Sequence, residues 1–459
     1  MKFPTAAGAA GEILKRKKEF VRKRGRVLKR TGLRESSNHY VMNITICDLA
    51  NSALLKAAWL SVRRKKSKEV AKFSRGIDDV TILDFEKNAP SNLITLANRL
   101  ESGEYTPQPV KIHLEKKDSG KYRMIAIPTI EDRIVQRGIL TLFEPYIFPV
   151  INNGVSYCGV RDDEDEPVNT KNAIEKIIKH IEGGHFWIFE SDIVSFYDKI
   201  PKTAILNKLK NLIPMDERLY TLLNKYVYYE IGNKKIFEGK EGVTQPDGTL
   251  GITQGSALSP ILANLYLSDF DTTLKAAFGD RFIRYVDDFI VMCKTEKEAL
   301  IAKELALQEI TKENLQLSPD APKEETKTHI RNLKAYEKVD FLGISIHQRG
   351  LTPKKGIHGA KKHMENILRR KDKNGKNIYK RLVLRNNKKL DVADQMEEKI
   401  KSWGEHYRFY HVKPLYAELD KYIEEKTKKM RDVRPIKPLN KIALSPLKSL
   451  KEWMELFKK

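Results

Sequence analysis

Two adjacent carboxylates, Asp287 and Asp288, lie in the run Tyr285-Val286-Asp287-Asp288, between the largely apolar stretches 281–284 and 289–293. The pattern reads as a strand, a tight acidic turn and a second strand. Like charges side by side at a half-buried hairpin tip repel each other, so folding alone rarely selects them unless a cation neutralises the pair. On an open surface the same two residues would simply be solvated. Two further segments favour the cation. The aromatic and β-branched run 186–198 carries another carboxylate, Asp192, where its strand-like part ends. Between the two acidic segments, Gly251-Ile252-Thr253-Gln254-Gly255-Ser256 leads through Ser259-Pro260 into the apolar residues 261–267, a loop with two glycines that feeds a helix.

Stretches of this kind must be positioned by a folded sheet, because Asp192 and Asp287 are far apart in the chain. An aspartate after an apolar strand, then Gln-Gly followed by Ser-Pro, then Tyr-x-Asp-Asp is an order that resembles polymerase motifs A, B and C of the reverse transcriptases. Within that family the chain is similar to the bacterial branch of group II intron-encoded and antiphage-defence enzymes. Residues 105–110, Arg123-Met124-Ile125-Ala126-Ile127-Pro128 and 131–136 resemble the fingers motifs of that branch, and Ser156-Tyr157-Cys158-Gly159-Val160-Arg161 stands where it has a Ser-Tyr-Gly-Phe-Arg-type stretch. Thr253 and Ser256 depart from the proline and glycine usual in the family's Gln-Gly motif.

The resemblance implies an α+β fold of the right-hand polymerase type, with fingers, an antiparallel palm sheet, a helical thumb and a basic N-terminal helical extension. The expected segments are 1–40 (extension), 41–185 (fingers with part of the palm), 186–350 (palm), 351–430 (thumb) and 431–459 (tail helix). It also implies RNA-directed DNA synthesis by in-line phosphoryl transfer, with two Mg²⁺ ions about 4 Å apart. Asp192 and Asp287 would bridge both ions, with Asp288 close behind them. Lys327 would protonate the pyrophosphate, although a lysine in a charged loop is also commonly just solvated. Tyr197 would lie under the sugar of the incoming nucleotide and exclude a 2′-hydroxyl, the alternative being a core aromatic. Arg123, with Lys121, would clamp the triphosphate through charge-assisted hydrogen bonds, the alternative being a solvated arginine. Gln254, Gly255 and Val286 would line the nucleotide site, and Phe341-Leu342-Gly343 would form the primer-grip hairpin.

Composition bounds the partners. The chain has 459 residues, enough for roughly three domains, and 41% of them are hydrophobic. No apolar run is expected to approach the ~18 residues needed to span a bilayer, so no membrane partner is expected. The N-terminus lacks the apolar core of a secretory signal. Cys47, Cys158 and Cys293 are scattered without metal-ligand spacing, which fits a reduced cytoplasm and no zinc.

The net charge of +24 is unevenly spread. Basic residues outnumber acidic ones by 12 to 3 in residues 1–40 and by 30 to 14 in residues 351–459, whereas the middle holds 43 against 44. The flanks would therefore grip nucleic acid through phosphate contacts. Lys15, Arg16, Lys17, Lys18, Arg22, Lys23, Arg24 and Arg26 fall on a basic, amphipathic segment interrupted near Gly25, read as an RNA-binding helix. A partner helix, an acidic membrane surface or a solubilising tail are its other readings. In the C-terminal flank Ile400, Trp403, Tyr407 and Tyr410 share one helical face, and Leu415, Leu419 and Tyr422 the next, a core-facing pattern. The acidic run 162–166 reads as a solvated loop.

The expected partners are an RNA template, read as a dedicated non-coding RNA copied in antiphage defence, a DNA product and dNTPs. Homo-oligomerisation is compatible with this reading. The chain ends soon after the thumb without an appended nuclease region, which favours a self-contained enzyme. The alternative is a group II intron maturase that binds and folds its intron.

Overall fold

The computed structural model describes residues 43–64, 74–116, 122–158, 170–240, 248–319, 327–354 and 413–427, with positions 243, 246, 358 and 361 and the strands 383–385 and 388–390. The basic residues of 15–34, Lys121, the acidic run 162–166, the aromatic face at Trp403 to Tyr410 and the tail 431–459 lie outside them. Two compact units interleave along the chain. The first takes residues up to 168, 193–276 and 308–316, and the second 169–192, 277–307 and 317 onward.

The first unit is mostly helical. Its helices Ser52–Arg64, Ala89–Ser102 and Ile130–Ile151 bury Leu54, Leu55, Leu96, Leu100, Ile134 and Phe143. The Ile130–Ile151 helix starts where it does because the Thr129 hydroxyl accepts from the Asp132 amide at 3.1 Å, an N-cap. Contrary to expectation, this helix is long and apolar enough, by length and composition alone, to cross a membrane. Its contacts with Ser52–Arg64 and Ser259–Tyr266, and the burial of half of its most apolar window, are those of a core helix. Strands β1 (Lys111–Lys116) and β2 (Tyr122–Ile127) form an antiparallel hairpin, with Glu115 opposite Arg123.

A four-stranded antiparallel sheet organises the second unit, in the order β4-β5-β3-β6, from β3 (Trp187–Asp192), β4 (Phe282–Tyr285), β5 (Asp288–Cys293) and β6 (His329–Asn332). The central strands are apolar on both sides: Ile188, Phe189 and all of Phe289, Ile290, Val291, Met292 and Cys293 are fully buried. Phe189 and Phe282 each meet the Phe289 ring nearly edge-on, at 5.8 and 6.0 Å between centroids. The helix Thr170–Glu182 adds Ile174, Ile177, Ile178 and Ile181 to this unit's core.

A second sheet, β7 (Val339–Phe341), β8 (Ile344–His347) and β9 (Gly350–Pro353), is also antiparallel. Its first turn holds Leu342 and Gly343 at φ of 53° and 78°, the two positive φ values that suit a two-residue hairpin to the twist of its strands. The region expected to be a helical thumb contains a hairpin of β10 (Val383–Arg385) and β11 (Lys388–Leu390). The helix Lys413–Thr427 does form, with Leu419 and Ile423 buried.

Candidate active site

The two acidic segments meet through strand register. Antiparallel pairing of β3 with β5 sets Asp192 directly opposite Asp288, and pairing of β4 with β5 sets Tyr285 opposite the same residue. Val286 and Asp287 are left as the two-residue tip. Val286 adopts φ 61°, a left-handed conformation that a β-branched residue rarely takes and that costs on the order of 1–3 kcal/mol. Arg284, fully buried, holds the turn by donating from Nη1 to the Val286 carbonyl at 2.8 Å. Sequence reasoning passed over Arg284, although a lone arginine inside an apolar strand is the kind of residue that must find fixed acceptors.

Lys327 closes the site. Its ammonium lies 2.5 Å from Asp288 Oδ1 and 3.0 Å from Asp192 Oδ2. Burial works against the ammonium's charge, but the carboxylates of Asp288 and then Asp192 outweigh it and raise the Lys327 pKa. Burial, followed by the like charge of Asp288, pushes the Asp287 carboxyl up. One strand position back on the same face, Glu190 is driven up to about 7 by burial, against the opposing pull of Arg331 at 3.0 Å.

A ring of hydroxyls backs Asp192. Ser318 donates from Oγ to Asp192 Oδ1 and from its amide to the Asp192 carbonyl at 2.9 Å. Thr328 Oγ1 donates to the Ser318 carbonyl at 2.5 Å and lies 2.7 Å from Ser191 Oγ. Ser191 and Thr328 neighbour Asp192 and Lys327 in sequence, which was the available signal for them.

Two carboxylates from different strands therefore close on one cation, and the Lys327 ammonium occupies the place of that charge. An all-oxygen donor set of this kind suits a hard divalent ion such as Mg²⁺. Among the described residues, no three His, Cys, Asp or Glu side chains gather as a metal cluster. The pair drawn together on Lys327 is Asp192 with Asp288, while Asp287 stays at the tip of the turn.

The remaining candidates in the second unit are the primer-grip residues: Phe341 is buried, and Leu342-Gly343 form the hairpin tip. Tyr197, Arg123, Gln254 and Gly255 belong to the first unit. Phe196 takes the core position at 2% exposure, so Tyr197 beside it is not the core aromatic and stays only partly buried. The Tyr197 carbonyl accepts from the Ile252 amide at 2.9 Å, tying the short helix Phe196–Lys199 to the Gln254 loop. That loop is tied in turn to β2, where the Ala126 amide donates to the Gln254 carbonyl at 2.6 Å. Gly255 has φ 113°, and a Cβ there would fall 2.3 Å from the Ala126 carbonyl oxygen, so only glycine fits. The neighbour that demands glycine here is the β2 backbone. Arg123 is about half exposed and 3.8 Å from Glu115 across the hairpin, a weak surface pairing that leaves its guanidinium free to turn.

Residues 114–346 match the family model described as reverse transcriptase (RNA-dependent DNA polymerase). The chain belongs to the reverse transcriptase family. Arg123, Tyr197, Gln254, the three aspartates, Lys327 and Phe341-Leu342-Gly343 all fall within the matched stretch. The chain is 31% identical over 199 residues to the group II intron-encoded protein LtrA of Lactococcus lactis, covering 43% of this chain and 30% of LtrA. It is 28% identical over 202 residues to protein YkfC of Escherichia coli K12, covering 43% of this chain and 49% of YkfC. The chain thus spans half or less of the length of these relatives. Among solved structures, apo telomerase from Candida tropicalis superposes with a TM-score of 0.38 at 12% identity, covering 80% of this chain and 73% of that one. Family membership carries the α+β, right-hand polymerase fold class, to which the antiparallel sheet of β3 to β6 conforms.

Proposed function

We propose that this chain is an RNA-directed DNA polymerase whose catalytic centre is built on Asp192, Asp287 and Asp288. The observation that carries the reading is the register pairing of Asp192 with Asp288, with one cation held between their carboxylates. When bound, divalent ions of the Mg²⁺ class would activate the primer 3′-hydroxyl and neutralise the leaving pyrophosphate. The apolar strands β3 and β5 hold the carboxylates on a rigid platform. Lys327, kept protonated by its acidic neighbours, supplies a proton to a pyrophosphate oxygen. Arg123, with Lys121, binds the triphosphate, and Gln254, Gly255 and Val286 line the nucleotide site. Tyr197 excludes the ribose 2′-hydroxyl, and Phe341, Leu342 and Gly343 seat the primer.

Primer extension on an RNA template with Mg²⁺ tests the reading. DNA synthesis is expected from the native sequence and not from Asp287→Asn, and equal yield from both would refute the assigned centre. Tyr197→Val should admit ribonucleotides, read as a drop of tenfold or more in dNTP-over-NTP selectivity, since a steric gate of this kind is worth about 1–3 kcal/mol.

The finer reading is a cytoplasmic enzyme that copies a dedicated non-coding RNA in antiphage defence, with the basic flanks, Lys15 to Arg26 among them, gripping that RNA. The likeness to LtrA supports a second reading, an intron maturase that folds its own RNA. Sequencing the RNA and cDNA that co-purify with the protein separates the two: intron RNA spliced beside the gene favours the maturase, a discrete RNA with matching cDNA the defence enzyme.

A further inference from the structure

Asp192 has two carboxylate oxygens with different tasks. Oδ2 faces the Lys327 ammonium at 3.0 Å, while Oδ1 is taken by the Ser318 hydroxyl. Ser318 is itself fixed twice over, by its amide on the Asp192 carbonyl at 2.9 Å and by its own carbonyl, which accepts from Thr328 Oγ1 at 2.5 Å. A threonine hydroxyl has one proton. Because Thr328 spends it on Ser318, the 2.7 Å contact with Ser191 requires Ser191 to be the donor there. The hydroxyls thus point in one direction: Ser191 to Thr328, Thr328 to the Ser318 carbonyl, Ser318 to Asp192. The ring begins and ends on neighbouring residues of β3, whose side chains leave opposite faces of the strand. Ser191 and Thr328 are each 3% exposed, so water does not compete for these bonds.

We propose that Ser318, backed by Thr328 and Ser191, is a positioning residue that locks the Asp192 carboxylate in one orientation and so presents Oδ2 to the cation. A carboxylate on a two-bond side chain can otherwise rotate, and each lost orientation costs affinity at the moment of capture. Residues that orient a metal ligand in this way typically carry a 10–100-fold share of metal affinity or activity. Thr328, the residue after Lys327, bonds both Ser318 and Ser191, so one bracket joins the neighbour of Lys327 to β3 and to Asp192. This inference rests on the reading of Asp192 as a metal-holding carboxylate.

The test uses the full chain and Mn²⁺ as probe, measuring free Mn²⁺ by electron paramagnetic resonance in the absence of nucleotide, alongside the Mg²⁺ dependence of primer extension. Ser318→Ala should weaken Mn²⁺ binding by tenfold or more and raise the Mg²⁺ needed for half-maximal rate by a similar factor, with the dNTP KM at saturating Mg²⁺ and the thermal midpoint unchanged. Ser318→Thr, which keeps the hydroxyl, should restore both. If Ser318→Ala does not fold, Thr328→Val against Thr328→Ser carries the same comparison, with the loss confined to valine. Mn²⁺ affinity and Mg²⁺ dependence equal to those of the native sequence in Ser318→Ala, or in a folded Thr328→Val, would overturn the role. Asp192→Asn separates the two levels. If it too binds Mn²⁺ and synthesises DNA normally, the catalytic reading itself fails; if it loses both while the hydroxyl variants lose neither, only the positioning role falls.

Discussion

Asp132 in the first unit is buried and Asp192 in the second is partly buried, and the two are completed in opposite ways. In the first unit Asp132 accepts from the Tyr105 hydroxyl at 2.6 Å, Tyr226 at 3.2 Å, Thr129 at 2.6 Å and the Gln108 amide at 3.4 Å. Its oxygens are filled by fixed donors, and burial still pushes its carboxyl up against the pull of all four. In the second unit Asp192 and Asp288 have oxygens turned to the Lys327 ammonium, and Asp287 stands beside them with its carboxyl raised by burial and by its acidic neighbour. A carboxylate saturated by rigid donors is part of the scaffold. A carboxylate whose charge is balanced by a lysine side chain can exchange that partner for another cation, as the proposed chemistry would require.

Substitutions should split along the same line. Removing a charge at the second site, by Asp192→Asn or Asp287→Asn, should cost DNA synthesis 10³-fold or more, on the order of 4 kcal/mol in the barrier. The same change at Asp287 should leave the metal-free thermal midpoint level or raise it, since the repulsion with Asp288 is relieved; a lowered midpoint would make Asp287 a scaffold residue like Asp132. Asp132→Ala should do the reverse, lowering unfolding free energy by about 3 kcal/mol because three buried hydroxyls lose their acceptor. Urea titration measures it, and a loss under about 0.5 kcal/mol would remove the contrast between the two sites. Lys327→Met should lower kcat about 10²-fold, the usual share of a positioned general acid, with dNTP KM little changed. The smallest effect is expected at Tyr226→Phe, about 1 kcal/mol of stability with no change in kcat, since Asp132 keeps its other donors.

Much of this arrangement could be read before the fold was known. The strand–turn–strand of 282–293, the strand ending at Asp192, the loop before Ser259-Pro260 and the Phe341-Leu342-Gly343 hairpin are local patterns, and local patterns follow from the order of apolar, polar and turn-forming side chains. The length and apolar character of Ile130–Ile151 were underestimated because its charged residues are crowded towards its start. The strands Val383–Arg385 and Lys388–Leu390 were missed because three residues each, set in a dense basic composition, are too short to show a period. Ser318, Arg284 and the Ala126 carbonyl behind Gly255 could not be ranked from sequence, since a serine, an arginine or a backbone oxygen acquires its task from a partner distant in the chain.

By itself the sequence determined which residues could carry charge chemistry, the apolar, aromatic and β-branched runs that make β3 and β5 strands, and the family to which the chain belongs. Only the tertiary structure decided that Asp192 faces Asp288 rather than a neighbour one residue away, because strand register is set by packing on both sides of the sheet. The same packing decided which carboxylate oxygen is spent on Ser318 and which is left for a cation.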